Sequence, residues 1–352
     1  MSISPYVGGE SHAPGVEKVL KLSSNEGALG PSALAIEAYC NAAEEIHRYP
    51  DGASAELREA IAQRYKLPME NIVCGAGSDE IIGLLCQAFT SPGEEILYTE
   101  HGFLMYSIYA KGCGAVPVEV AEENMTASIS NLLEAITDKT RIIFLANPNN
   151  PTGTYLNKQE LETLCKALPE NILLVLDCAY SEYVTEQDYT DGHEFVSLFG
   201  NVVVTHTFSK IYALGSLRIG WAYGPEGVID VLNRVRSPFN VNGAAQKAGV
   251  AAVKDTAFLQ KSVEINNAVK QKFMTDIKKL GLKVHPGAAN FVLLDLESPK
   301  AANACFEYLK SKGVLVRPVG SYQLPSCLRI TIGQEEEMQL VKDSLAGYKA
   351  SA

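Results

Sequence analysis

Between residue 71 and about residue 210 the sequence alternates between strand-like and helical patterns, and this alternation limits the folds open to the chain. The runs NIVCGAG, EEILYTE, TRIIFLA, NILLVLD and NVVVTHT are rich in Val, Ile and Leu, and helical patterns such as SDEIIGLLCQAFTS separate several of them. Continuous apolar runs of this length are typical of parallel strands buried on both faces. The pattern predicts an α/β fold whose large domain has a mainly parallel sheet covered by helices on both faces.

The pattern of helical and strand-like segments changes after about residue 235. Polar helical segments are followed there by the strand-like LKVHPGAANFVLLDL, GVLVRPV and SCLRITIG, which is typical of a smaller α+β domain. We therefore predict three parts: an N-terminal arm and lead-in over residues 1–40 that packs with the small domain, a large domain over 41–240, and a small domain over 241–352.

Charge and cysteine content exclude several classes of function. The formal net charge is −11 and no long basic run is present, which argues against nucleic acid and leaves small anionic ligands possible. The eight cysteines form no Cys-x-x-Cys pair and the six histidines show no ligand-like spacing, so no metal site is predicted. The opening MSISPYVGGE does not resemble a signal peptide and no apolar segment is long enough to span a bilayer, which predicts a cytoplasmic chain without a membrane partner.

The predicted strand ends carry polar residues where ligands bind in such folds. In GAGSDE, Gly77, Ser78 and Asp79 lead into a helix whose free N–H groups would attract an anion, although an ordinary helix cap explains the same residues. In ANPNNPTG, Asn150 offers an amide donor, and turn chemistry explains the Asn and Pro content equally. LVLDCAY ends an apolar run with Asp177 and Tyr180, where a carboxylate needs a partner or caps the next segment.

Lys210 completes this set in HTFSKIYALGSLRIG. An amine at an apolar strand end is desolvated, which lowers its pKa and makes it nucleophilic toward carbonyls. Thr207 and Ser209 offer hydroxyl donors beside it, and the guanidinium of Arg218 suits a phosphate. Together these residues supply a Schiff-base lysine, an acidic partner for a ring nitrogen and a phosphate cup, which predicts pyridoxal 5'-phosphate as the cofactor.

With these motifs the sequence resembles a known family. NPTG, LDCAY and TFSKIYALGSLRIGW resemble the fold-type I pyridoxal-phosphate-dependent aminotransferases of class I/II. KLSSNEGALGPS, RYPDG, GAGSDEII, GVLVRPV and LRITIG extend the likeness, which is greatest to the histidinol-phosphate aminotransferases. In one departure, Gly27-Ala28 stands where that family has Asn-Pro in the arm.

The resemblance implies roles for individual residues. Lys210 would bond the cofactor and move a proton, with Asp177 and Tyr180 as its catalytic partners. Tyr49 would reach the neighbouring subunit's cofactor in a homodimer, and Tyr106 would stack on the ring, although core packing also explains both tyrosines. The full set implied to hold the cofactor is Gly77, Ser78, Asp79, Tyr106, Asn150, Asp177, Tyr180, Thr207, Ser209, Lys210, Arg218 and Tyr49.

The resemblance also implies the substrates. Arg329 would bind the carboxylate of 2-oxoglutarate or glutamate, and Arg317 and Tyr6 would assist at the phosphate of histidinol phosphate. Asn25 is also implied to bind the substrate. Arg317 also fits a surface cation near a domain junction. The implied reaction is a ping-pong amino transfer between histidinol phosphate and 2-oxoglutarate, which yields imidazole-acetol phosphate and glutamate in histidine biosynthesis.

Three alternatives remain open at this point. Tyrosine or phenylalanine transamination and decarboxylation of a phosphorylated amino acid use the same cofactor motifs, because substrate orientation decides which bond at Cα breaks. A transcription regulator with an aminotransferase-like domain would need a DNA-binding module. The first forty residues show neither a helix-turn-helix pattern nor clustered basic residues.

Overall fold

A computed structural model describes residues 3–12, 14–16 and 18–351 of the chain. Its strands are β1 (Leu20–Lys21), β2 (Ile72–Gly75), β3 (Glu95–Thr99), β4 (Val116–Val120), β5 (Thr140–Ala146), β6 (Leu173–Asp177), β7 (Val202–Thr207), β8 (Gly220–Tyr223), β9 (Lys283–His285), β10 (Phe291–Asp295), β11 (Val314–Leu315), β12 (Arg317–Val319) and β13 (Leu324–Thr331). Its helices are α1 (Ala33–Asn41), α2 (Ala55–Tyr65), α3 (Ser78–Phe89), α4 (Met105–Gly112), α5 (Ile129–Glu134), α6 (Lys158–Ala167), α7 (His193–Leu198), α8 (Glu226–Val235), α9 (Gly243–Lys254), α10 (Thr256–Lys279), α11 (Pro299–Ser311) and α12 (Glu335–Ser351).

A seven-stranded sheet with the order β2-β8-β7-β6-β5-β3-β4 forms the centre of the larger part. Its strands pair in parallel except β8, which runs antiparallel to both of its neighbours. Leu174 and Leu176 of β6 join the apolar cluster on one face and Val175 joins the cluster on the other, as the alternation of side chains along a strand requires. The sheet is therefore buried on both faces, which confirms the predicted α/β class and explains the continuous apolar runs.

A smaller antiparallel sheet with the order β12-β13-β10-β9 packs against α10, α11 and α12 around a separate apolar cluster. Strand β1 pairs in parallel with β11, so the described part of the N-terminal arm is joined to this smaller unit. Helix α9 lies beyond residue 240 but packs against α1 and α2, and its Ala245 and Ala248 belong to the core of the large sheet. The positions of the domain boundaries stay predictions.

Strands β5, β6 and β7 are neighbours that run in parallel, so the loops after them leave from the same edge of the sheet. Those loops carry Asn150, Tyr180 and Lys210, and Asp177 is the last residue of β6. None of the described helices combines the length and the apolar composition needed to cross a membrane.

Candidate active site

A cavity of about 360 Å³ opens at this edge of the sheet. It brings together residues from the large sheet, from the arm and from the small sheet. The predicted residues that line it are Tyr6, Asn25, Ser78, Asp79, Asn150, Asp177, Tyr180, Thr207, Ser209, Lys210, Arg218 and Arg329.

Lys210 follows β7 and projects into this cavity. Its Nζ donates a hydrogen bond to the backbone oxygen of Ser24 at 3.0 Å and lies 5.7 Å from the centre of the Tyr180 ring. Burial, and after it the positive charge of Arg329, lowers the pKa of Lys210 to about 8. Near neutral pH this amine therefore exchanges a proton far more readily than an exposed lysine does.

Asp177 places a carboxylate on the cavity wall with two hydroxyl donors behind it. The hydroxyl of Tyr106 donates to Oδ2 at 2.7 Å, and Oγ1 of Thr205 donates to Oδ1 at 3.4 Å. Burial raises the pKa of Asp177 and outweighs these hydrogen bonds, which act in the opposite direction. Among the described residues no lysine, arginine or histidine pairs with this carboxylate, so it is available to a cationic group of a ligand.

The start of α3 forms an anion-binding corner with Arg218. Gly77 has φ +86° and a side chain there would overlap the Arg218 guanidinium, so the corner needs glycine. The Arg218 guanidinium contacts Oγ of Ser209 at 3.3 Å and a carboxylate oxygen of Asp79 at 3.3 Å. The helix N-terminus, the guanidinium and the hydroxyls of Ser78 and Ser209 suit a phosphate.

Two buried arginines lie directly opposite each other at the other end of the site. Arg317 of β12 pairs in register with Arg329 of β13. The Arg329 guanidinium donates to the Asn150 side-chain oxygen and, at 2.7 Å, to the backbone oxygen of Ser23. The Arg317 guanidinium donates to the backbone oxygen of Val7 at 2.6 Å. Neither arginine has a carboxylate partner among the described residues, and of the two only Arg329 lines the cavity.

Asn25 and Tyr180 form a buried hydrogen-bonded pair next to Lys210. The side-chain nitrogen of Asn25 donates to the Tyr180 hydroxyl oxygen at 2.9 Å, which leaves the Tyr180 proton free to donate into the cavity. The Asn25 side-chain oxygen accepts from Thr331, so the small sheet fixes the orientation of this amide. Thr207 acts locally, because its Oγ1 accepts from the backbone N–H of Ser209 at 3.1 Å.

The comparisons with known proteins agree with this geometry. The family model for aminotransferase class I and II matches residues 17–345. The chain belongs to this family. It is 54% identical over 350 residues to a histidinol-phosphate aminotransferase of Paramagnetospirillum magneticum and 51% identical over 349 residues to one of Rhodospirillum centenum, with 99% of this chain and 96% of each relative covered.

Solved structures of aminotransferases share the fold. The histidinol-phosphate aminotransferase of Sinorhizobium meliloti in complex with pyridoxal-5'-phosphate superposes with a TM-score of 0.91 at 27% identity, covering 96% of this chain and 92% of that one. An aspartate aminotransferase double mutant of Thermus thermophilus has a TM-score of 0.83 at 25% identity, with 94% and 92% covered. The predicted fold-type I architecture is therefore confirmed.

One aromatic residue lies elsewhere than predicted. Tyr106 is buried, stacks on Phe144 with a centroid distance of 4.7 Å and holds Asp177, so it does not line the cavity where a cofactor ring would lie. Phe103, three residues earlier, lines the cavity instead. Because α4 begins at Met105, Tyr106 lies in its first turn facing the sheet, whereas Phe103 lies in the loop before the helix. The resemblance selected Tyr106 for the cofactor ring, whereas the aromatic residue of this segment that lines the cavity is Phe103.

Tyr49 lies outside the cavity of its own chain. Its side chain is 84% exposed and stacks on Phe239 with a centroid distance of 4.8 Å. Two other polar groups of the site had no sequence signal. The Ser24 carbonyl accepts from Lys210 and the Thr205 hydroxyl donates to Asp177, and only folding brings these residues together.

Proposed function

We propose that this protein transfers an amino group between histidinol phosphate and 2-oxoglutarate with pyridoxal 5'-phosphate as its cofactor, in histidine biosynthesis. The observation that carries the proposal is the buried Arg329, which lines the cavity together with Arg218 of the anion corner and has Arg317 directly opposite it on the neighbouring strand. One anion site serves the cofactor and the other serves the substrate. Six curated relatives that are 47–54% identical over nearly the whole chain are named histidinol-phosphate aminotransferase, which supports the same substrate here.

The residues of the cavity fit pyridoxal 5'-phosphate. Asp177 offers an unpaired carboxylate to the ring nitrogen, and the corner formed by Gly77, Ser78, Ser209 and Arg218 takes the phosphate. When bound, the cofactor supplies a carbonyl that bonds to amines and a ring that accepts electrons as the substrate Cα–H bond breaks. Asp79 neutralises part of the Arg218 charge at the edge of the corner.

Two donors suit the phenolic oxygen of the cofactor. The Asn150 side-chain oxygen accepts from Arg329, so its amide nitrogen is left to donate into the cavity. The Tyr180 hydroxyl accepts from Asn25 and is likewise left with its own proton to donate. We assign both residues to that oxygen, where donated hydrogen bonds stabilise a negative charge.

Lys210 moves the proton. With a pKa lowered to about 8 its amine is partly neutral near physiological pH, and it accepts the proton from Cα of the substrate. Its hydrogen bond to the Ser24 carbonyl holds Nζ between the arm and the cavity. Tyr106 keeps Oδ2 of Asp177 in place, so the negative charge stays where the ring nitrogen lies.

The arginine pair explains how one site accepts two substrates. The phosphate of histidinol phosphate carries about two negative charges on one group and matches two guanidinium groups, whereas each of the two carboxylates of glutamate carries one charge and needs one. Arg329 lines the cavity and serves both substrates, while Arg317 supports the phosphate from the neighbouring strand. Tyr6 lines the same end of the cavity, next to Phe103.

The protein is further proposed to act as a cytoplasmic homodimer. Tyr49, Ile46 and Tyr39 are exposed apolar side chains of one short segment, and burial of that segment against a second copy would bring Tyr49 toward the partner's cofactor phosphate. The cysteines are all free, in agreement with a reducing compartment. Mixing Lys210→Ala and Tyr49→Ala subunits tests the dimer: activity should return if Tyr49 acts across the interface and should stay absent if it does not.

A single-turnover experiment tests the proposed reaction. The cofactor-loaded protein is mixed separately with histidinol phosphate, glutamate, phenylalanine, tyrosine and threonine phosphate, and its visible absorbance is followed. We expect histidinol phosphate and glutamate both to convert the cofactor to its amine form. Fast conversion by phenylalanine or tyrosine, with none by histidinol phosphate, would indicate aromatic transamination. Decarboxylation of threonine phosphate, or no response to any compound, would also overturn the proposal.

Variants of the arginine pair sharpen the test. Arg317→Gln should slow conversion by histidinol phosphate roughly tenfold to a hundredfold with little effect on glutamate, because one charge-assisted contact to the phosphate is lost. Arg329→Gln should slow both half-reactions. Arg234→Gln is the matched control, since Arg234 is exposed and pairs with Asp230 on its own helix. Equal effects of Arg317→Gln on both substrates would contradict the assignment.

A further inference from the structure

A second cluster of titratable groups lies outside the active site. Asp191, His193 and His206 place their donor atoms within 4.8 Å of one another, and Glu182 lies beside them. A cavity of about 650 Å³, which shares no lining residue with the active-site cavity, reaches the cluster through the carboxylates of Glu182 and Asp191. None of the steps assigned to the active site uses these four residues.

The carboxylates and imidazoles of the cluster lie in a row, each within hydrogen-bonding or ion-pair distance of the next. A carboxylate oxygen of Asp191 lies 3.2 Å from Nδ1 of His193, and Nε2 of His193 lies 2.9 Å from Nε2 of His206. Nδ1 of His206 lies 3.6 Å from Glu182 and 3.4 Å from the hydroxyl of Ser181. If Ser181 donates to Nδ1 of His206, Nε2 of His206 donates to Nε2 of His193 in an ordinary hydrogen bond. If both outer Nδ1 atoms instead donate to the carboxylates, the two Nε2 lone pairs face each other and can bind a cation between them.

The charges of the cluster favour a divalent cation over a single proton between the two imidazoles. Neither Asp191 nor Glu182 has a lysine or arginine within 4 Å among the described residues, and the Tyr65 hydroxyl is a neutral donor to Glu182. One proton shared by the two imidazoles leaves the cluster with a net negative charge when both carboxylates are ionised.

We propose that His193 and His206 bind a divalent transition-metal ion between their Nε2 atoms, separate from the active site, with Asp191 and Glu182 as the carboxylates that face the outer ring nitrogens. Imidazole nitrogens supported in this way suit Zn²⁺, Ni²⁺ or Co²⁺ and do not suit Mg²⁺ or Ca²⁺, which prefer oxygen ligands. Binding displaces the proton held between the two Nε2 atoms, which leaves to solvent. Water from the adjoining cavity completes the coordination.

The distances need only a small adjustment. With bonds of about 2.0–2.1 Å, two ligands lie about 2.9 Å apart around an ion with right-angle geometry and about 3.4 Å apart around a tetrahedral Zn²⁺. The two Nε2 atoms are 2.9 Å apart, so Zn²⁺ needs them to separate by about 0.5 Å. The ring centroids are 5.0 Å apart, so the rings face each other nearly head-on and one must turn for both lone pairs to meet at the ion. His206 is fixed by stacking on Trp221 at 4.3 Å, whereas His193 starts a helix after Gly192 and is the ring that turns.

The position of the site predicts its effect. His206 is in β7, four residues before Lys210, and His193 begins α7, so a bound ion would tie that helix to the strand that carries the active-site lysine. The ion should therefore stabilise the folded protein without taking part in amino transfer. The histidines are 13 residues apart in sequence, and this spacing is why the site has no sequence signal.

Calorimetric titration of the cofactor-loaded protein, freed of metal by chelation and dialysis, with Zn²⁺ and separately with Ni²⁺ tests the proposal. We expect one equivalent of each metal to bind and to raise the melting temperature, with kcat unchanged. His193→Asn should weaken binding at least about tenfold. His285→Asn is the matched control, because it removes a histidine that also faces an aspartate, Asp295, but has no second imidazole beside it.

Equal weakening by both variants, or no binding to the unaltered protein, would overturn the proposal and leave the cluster as a hydrogen-bonded pair. If His193→Asn does not fold, electron paramagnetic resonance of the unaltered protein with one equivalent of Cu²⁺ decides the question. Hyperfine coupling from two imidazole nitrogens is expected, and coupling from fewer than two would exclude the site. Neither result depends on which amino donor the active site uses.

Discussion

Lys210 and Lys270 have the same lowered pKa but opposite surroundings. Burial lowers the pKa of each to about 8 from the ordinary value of 10.5. Nζ of Lys270 on α10 donates to the backbone oxygens of Gly287 and Ala289 at 2.8 and 2.9 Å. Nζ of Lys210 donates to one backbone oxygen and lines the active-site cavity.

The comparison shows that a lowered pKa does not by itself mark a catalytic lysine. The Lys270 amine donates its hydrogen bonds to two backbone carbonyls and so fixes the loop at residues 287–289. This loop packs against Gly153, whose backbone oxygen accepts from the Ala288 N–H at 2.9 Å. Lys210 combines the same desolvation with free space in front of its amine and a second cation, Arg329, that helps to lower its pKa. Access to a ligand separates the two lysines, and the expectations below test that difference.

The largest difference between the two lysines is expected in the single-turnover rate after each side-chain amine is removed. Lys210→Ala removes the group that accepts the Cα proton, so the single-turnover rate with histidinol phosphate should fall at least about a thousandfold. Lys270→Met should change that rate less than about twofold, because it leaves the cavity intact. Stopped-flow absorbance measures both, and circular dichroism checks that both variants are folded. A large loss of rate in a folded Lys270→Met protein would break the comparison.

Stability should respond to Lys270 in a way that depends on pH. Between pH 8 and 10.5 the folded protein loses the Lys270 proton while the unfolded chain keeps it, so the free energy of unfolding rises with pH over this window. The fall of the pKa from 10.5 to about 8 corresponds to about 3 kcal/mol. Urea unfolding at pH 8 and at pH 10.5 measures how much the free energy of unfolding rises between these pH values. The rise should be smaller by about this amount in Lys270→Met than in the unaltered protein, and an equal rise in both proteins would show that Lys270 is not desolvated.

The rate of the chemical step should follow the protonation of Lys210. Below pH 8 the amine is charged and cannot accept a proton, so kcat should fall about tenfold for each pH unit below that value and level off above it. The same profile is expected for Lys270→Met. A profile that is flat from pH 6 to 9 would remove Lys210 as the group whose deprotonation limits kcat.

The sequence predicted one of these lysines and not the other, for a physical reason. Apolar runs that end in polar residues locate strand ends, and this pattern predicts that Asp177 and Lys210 lie together. Lys270 sits in a helical pattern with other lysines, and only the folded loop at 287–289 reveals what it contacts. That Phe103 and not Tyr106 lines the cavity likewise depends on where α4 begins, which the sequence pattern does not fix.

The smallest effect should come from the carboxylates near the two lysines. Glu26 raises the pKa of Lys210 and Glu186 raises the pKa of Lys270, in each case against the larger effect of burial. Glu26→Gln should therefore move the acid limb of the kcat profile to lower pH by about 0.2–0.7 unit, as expected for a partly solvated charge. Glu186→Gln should leave that limb in place and instead lower the pH at which the free energy of unfolding begins to rise. An effect of Glu186→Gln on the kcat limb would mean that the two lysines are coupled, and the contrast between a catalytic and a structural lysine would then fail.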